Sequence, residues 1–90
     1  MSNLTEQFEA AQLKVKTLTE RPDNNELLDL YAFFKQATEG DNNTDEPGLF
    51  DIKEKFKWKQ WDGKRGMSSD AAKQAYVDLV ETLLGKYSHS

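Results

Sequence analysis

Ninety residues, 37% hydrophobic and 31% charged, suffice for one small core and are too few for two. The absence of cysteine excludes a disulfide framework and a thiolate metal site. A net charge of −4 argues against a general nucleic-acid binder, and no stretch approaches the roughly 20 apolar residues of a membrane span.

The opening residues Met-Ser-Asn-Leu-Thr-Glu-Gln carry no basic segment and no apolar run, so a secretory signal is not expected and the cytoplasm is the default compartment. Leu4, Phe8, Ala11, Val15 and Leu18 then recur at steps of four and three, which predicts a first helix from about Leu4 to Leu18. Glu20-Arg21-Pro22 ends it, because proline disfavours helical geometry in the residue before it.

Asp23 with Glu26 three residues later is a capping-box pattern and predicts the start of a second helix. Leu27, Leu28, Leu30, Tyr31, Phe33, Phe34 and Ala37 give that helix more than one apolar face, which makes it central, and Gly40 stops it. Residues 41–50, with Pro47-Gly48, have no regular period and form a loop long enough to cross the molecule rather than close a hairpin.

A third helix is predicted from Asp51, with Glu54 again three residues on, carrying Ile52, Phe56, Trp58 and Trp61 to a stop near Gly63. Ser68 and Asp70 open a fourth, striped by Ala72, Tyr76, Leu79, Val80, Leu83 and Tyr87. Gly85 weakens its end, and Ser88-His89-Ser90 is expected to fray. The expectation is an all-α chain, residues 1–90 forming one domain.

The charge is unevenly spread. Between residues 53 and 65, Lys53, Lys55, Lys57, Lys59, Lys64 and Arg65 face only Glu54 and Asp62, a local excess of four cations. An acidic chain with one basic patch suits a small polyanion better than a long one. On the second helix, Lys35 falls within the stripe of Leu27, Leu28, Tyr31 and Phe34. Such a lysine either snorkels from the core to water or stands at an apolar groove to meet an anion. Lys53 and Lys57 share a stripe one turn apart, read as a solvated face or as a paired anion site. Trp58 and Trp61 read as packing residues; Tyr31 and Tyr76 read as core residues or as ligand contacts.

Enzymatic chemistry is not expected. The single histidine, His89, sits in the tail, and the acidic residues show no catalytic spacing. One alternative is a helical protein–protein interaction module whose aromatic stripe receives a partner helix.

Several stretches resemble the acyl-CoA binding protein family, in order and spacing, across nearly the whole chain. They are LYAFFKQATEGD from Leu30 to Asp41, Pro47-Gly48-Leu49-Phe50-Asp51, the run of Lys53, Lys55, Lys57, Trp58 and Trp61, and Ala75-Tyr76-Val77. The resemblance implies a skewed up-down four-helix bundle with a long loop between helices 2 and 3 and a shallow ligand bowl. It implies a carrier and buffer of fatty acyl-CoA, with no metal, no cofactor and no nucleic-acid partner. Such a carrier is expected to be monomeric and to touch membranes or acyl-CoA-using enzymes transiently. By the same resemblance Tyr31 stacks on adenine, Tyr76 lines the site, Lys35 meets the ribose 3′-phosphate and Lys57 holds the head group. Lys16 and Lys53 match further binding positions, and Phe8, Ala11 and Leu28 form the apolar floor. Three residues depart from the pattern: Phe34 replaces a usual tyrosine, and Glu54 and Phe56 stand where small residues are typical.

Overall fold

The first helix begins where Asn3 accepts the Glu6 amide at 2.8 Å, a side-chain cap on an otherwise free N–H. From it the chain builds four helices in a computed structural model that describes residues 3–90: α1 Leu4–Val15, α2 Asn24–Glu39, α3 Ile52–Asp62 and α4 Ser69–Lys86. Residues 1 and 2, which open the segment read as lacking a secretory signal, lie outside that range. No helix among the described residues is long and apolar enough to cross a membrane.

The capping box of α2 is present in full, with Asp23 and Glu26 exchanging bonds of 2.8 and 3.0 Å. Gly40 closes the helix at φ 80°, a conformation that favours glycine. Ser68 caps α4 through the Ala71 amide. Asp51 makes no such bond: its side chain leaves the α3 amides uncapped, so the box expected of Asp51 and Glu54 is not formed.

Helix α1 also ends a turn earlier than its apolar spacing predicts. Thr17 turns its hydroxyl onto the Lys14 carbonyl at 2.7 Å, and Leu18 leaves the helix to pair with His89 in an antiparallel bridge. The expected fraying of the tail is corrected by the same contact. The Thr19 amide donates to Ser88 O at 2.9 Å, the Ser90 amide to Thr17 O at 3.0 Å, and Glu20 accepts the Ser88 amide at 2.9 Å. These donors find partners some 70 residues away in sequence, a pairing that helical periodicity does not encode.

Helix α4 carries most of the core: Ala72, Val80 and Leu83 are fully buried, with Tyr76 and Val77 nearly so. They meet Phe8 and Ala11 of α1 and Leu30 and Ala37 of α2. Helix α3 packs against α2 alone and buries one residue, Trp61, whose ring N–H donates to Gly40 O at 2.9 Å. Loop 41–50 is tied to α3 by buried Asn42, which donates to Trp58 O, and by the Trp58 indole, which donates to Thr44 O at 3.1 Å. The loop carries the chain back along α2, as its length predicts, so the starts of α2 and α3 lie side by side.

Candidate functional site

Between those two starts lies a groove of about 600 Å³. Leu27, Leu28 and Tyr31 of α2 form one wall, and Ile52 and Phe56 of α3 form the other. The spacing explains the walls. Leu27, Leu28 and Tyr31 share a face one turn wide, as do Ile52 and Phe56, so each helix turns an apolar strip to the same hollow. Polar groups edge it: Lys53, Glu54 and Lys57 from α3, and Arg21, Asn24 and Asn25 from the approach to α2 and its first turn.

Two rungs join the helices beside the groove. The Lys57 ammonium stands over the Tyr31 ring at 4.9 Å, and one turn further along both helices the Lys35 ammonium stands over Trp61 at 4.8 Å. Each lysine also meets a carboxylate: Lys57 lies 3.6 Å from Glu54, and Lys35 is ion-paired with Glu39. Gln60 closes the seam by donating to Asp29 at 3.1 Å. Lys53, Lys57 and Lys35 therefore line one seam of positive charge, although Lys35 stops short of the groove wall.

Of the residues singled out from sequence, Leu28, Tyr31, Lys53 and Lys57 line the groove. Phe8 and Tyr76 are buried, with ring centres 5.1 Å apart in an edge-to-face contact, and half-buried Phe34 stacks at 6.0 Å from Phe8. Burial raises the Tyr76 phenol above its ordinary value, since the phenolate would lose water. Ala11 is buried beside these rings and borders a smaller hollow of about 170 Å³ between α1 and α4. Lys16 stands exposed at the end of α1, outside the groove. Arg21, Asn24 and Asn25 escaped sequence reasoning, because they flank a helix boundary and only the returning loop brings them opposite α3. Among the described residues no cluster of His, Asp and Glu is arranged to hold a metal ion.

Fold and groove together define a class: small four-helix proteins with a shallow cleft, oily along its walls and cationic at its edge. A family model described as acyl-CoA binding protein matches residues 5–80. The acyl-CoA-binding protein homolog 1 of Caenorhabditis elegans is 56% identical over 84 residues, covering 93% of this chain and 98% of that protein. The homolog of Drosophila melanogaster is 54% identical, covering 94% and 99%. The crystal structure of Oryza sativa acyl-CoA-binding protein 2 superposes with a TM-score of 0.89 at 38% identity, covering 93% of each chain. The chain belongs to the acyl-CoA-binding protein family.

Proposed function

We propose that this protein binds medium- and long-chain fatty acyl-CoA esters and acts as their carrier and buffer, without chemistry on the thioester. The observation that carries the reading is the α2–α3 groove, where Leu27, Leu28, Tyr31, Ile52 and Phe56 stand beside Lys53 and Lys57. A hydrocarbon chain and a phosphorylated nucleotide need these two surfaces next to each other. The printed names of the relatives point the same way.

In this reading Tyr31 stacks on the adenine, Lys57 and Lys53 take the head-group phosphates, and Lys35 leaves Glu39 to meet the ribose 3′-phosphate. Lys16 adds long-range attraction from the end of α1. Leu28, Leu27, Ile52 and Phe56 contact the acyl chain. Phe8, Ala11 and Tyr76, which are buried, support the α2 wall from behind, with half-buried Phe34 packed against them. The protein works as a cytoplasmic monomer of one domain and releases its cargo to membranes and acyl-CoA-using enzymes by dissociation.

Burying one methylene contributes roughly 0.8 kcal/mol, so ten give about 8 kcal/mol before ordering and association costs. The exposed phosphate contacts contribute a few kcal/mol together. The tail sets most of the affinity and the lysines select the thioester over the free acid.

Calorimetry with coenzyme A, palmitate and palmitoyl-CoA tests this. Palmitoyl-CoA is expected to bind far more tightly than either part, with affinity rising with chain length until the groove is full. Equal affinity for palmitate and its CoA ester removes the role given to the lysines. Lys35→Ala is expected to weaken palmitoyl-CoA about tenfold, consistent with losing one charge-assisted bond, whereas Lys59→Ala leaves it near wild type. Equal losses would mean diffuse charge attraction instead.

A further inference from the structure

The segment between α1 and α2, residues 16–22, forms no helix, yet it leads into the groove edge on the α2 side. Arg21 comes from it, and Asn24 and Asn25 open the helix that follows. All three line the groove, and all three are exposed, so burial does not fix where they stand. An exposed edge with few buried contacts keeps one shape only if hydrogen bonds hold its backbone from elsewhere.

The C-terminal tail supplies those bonds on both sides of the edge. Before Arg21, Leu18 bridges His89, the Thr19 amide donates to Ser88 O at 2.9 Å, and the Ser90 amide donates to Thr17 O at 3.0 Å. The Glu20 carboxylate, one residue from Arg21, accepts the Ser88 amide at 2.9 Å. Beyond Asn25, the Glu26 carboxylate takes the Tyr87 hydroxyl and the Lys86 ammonium while it also accepts the Asp23 amide. Arg21, Asn24 and Asn25 therefore sit between two anchors, Glu20 and Glu26, that are fastened to the same short tail. No residue of the tail lines the groove itself.

We infer that the tail, residues 86–90, is a positioning element for the acyl-CoA groove, holding residues 19–26 so that Arg21, Asn24 and Asn25 face α3. This rests on the acyl-CoA reading. A held edge meets the ligand already ordered, whereas a released edge must be ordered as the ligand binds, which weakens binding. Two substitutions release it at different anchors. Tyr87→Phe removes only the hydroxyl that reaches Glu26. Ser88→Pro removes the amide that reaches Glu20, and Tyr87, extended at φ −117° and ψ 156°, accommodates a following proline.

Calorimetry with palmitoyl-CoA, at a temperature where circular dichroism shows every variant folded, tests the assignment. Tyr87→Phe and Ser88→Pro are each expected to weaken binding about three- to tenfold, comparable with ordering one residue of backbone. Leu83→Ala, which weakens the core far from the edge, should keep wild-type affinity, so lost stability alone does not move this readout. In a chain carrying Arg21→Ala, Asn24→Ala and Asn25→Ala, the tail substitutions should add less than about twofold, because no edge is left to position. Wild-type affinity in both tail variants overturns the assignment. So does their full loss on the triple-alanine background, which would place the tail's action elsewhere, or an equal loss in Leu83→Ala, which would make the effect one of stability. A wild-type chain without affinity for palmitoyl-CoA removes the carrier reading itself; a wild type that binds, with tail variants that bind equally well, removes only the positioning role.

Discussion

Lys57 divides its ammonium between the Tyr31 ring at 4.9 Å and the Glu54 carboxylate at 3.6 Å. In the proposed binding mode a ligand phosphate would compete with that carboxylate, and an adenine would share the ring. Both Lys57 and Glu54 are about half exposed, and an exposed pair contributes roughly 0.2–1 kcal/mol. Glu54→Gln is therefore expected to strengthen palmitoyl-CoA binding by about two- to fivefold, read by calorimetry at fixed ionic strength. An unchanged affinity would mean that Glu54 does not restrain Lys57. The sequence marks Glu54 as a departure from the family pattern but gives it a different task. Its spacing from Asp51 reads as a cap, but the cap does not form, and Glu54 pairs instead with Lys57 three residues on along the same helix. Lys35 teaches the same lesson. Its place in the apolar stripe of α2 and its i,i+4 spacing from Glu39 are legible from numbering alone, whereas its contact with Trp61 depends on where α3 stands.

Among the elements, the two best read from sequence are α2 and α4, because a dense apolar stripe and a side-chain cap agree at each. The least legible is the tail, because its hold on the connector is made between residues far apart in the chain. Glu26 joins the two. Besides closing the α2 capping box, it accepts a hydrogen bond from the Tyr87 hydroxyl and an ion pair from Lys86 at 3.0 Å. The Tyr87 bond, with Lys86 and the Asp23 amide behind it, holds the Glu26 carboxyl below its ordinary value near 4.5. Glu20 is lowered by the Ser88 amide and Asp41 by the Gly66 amide and Gln36. A carboxylate with a depressed folded value contributes stability that is complete above its ordinary value and lost as pH falls through the folded one. The melting temperature is thus expected to hold from pH 7 to about 5 and to fall below pH 4.5. Glu26→Gln should melt lower at pH 7 and show a shallower acid limb. An acid limb identical to wild type would sever Glu26 from the effect. Tyr87→Phe should lower the melting temperature in the same direction, and hydrogen exchange should quicken at the Thr19 amide if the clasp opens with it.

At the scale of the whole molecule, the extents of 40 × 29 × 15 Å describe a thin slab. A slab cannot enclose a ligand, which is why the groove is open and why half-exposed side chains form its walls. The thinness also divides the labour. The core lies in α1, α2 and α4, while α3 adds only Trp61 to it and supplies the groove with Ile52, Lys53, Phe56 and Lys57. Stability and binding should therefore respond to different substitutions. Leu83→Ala, at a fully buried position, is expected to cost about 2–5 kcal/mol in urea unfolding while the folded fraction binds normally. Phe56→Ala, at a position 56% exposed, is expected to change stability by no more than about 0.5 kcal/mol yet alter chain-length preference, since it widens one wall of the groove. Excess palmitoyl-CoA should stabilise both variants, by about 2.7 kcal/mol at a hundred times the dissociation constant, because it binds only the folded chain. If Phe56→Ala lost several kcal/mol of stability without any ligand effect, α3 would be part of the structural core, and the separation of the α1, α2 and α4 support from the groove-lining α3 would not hold.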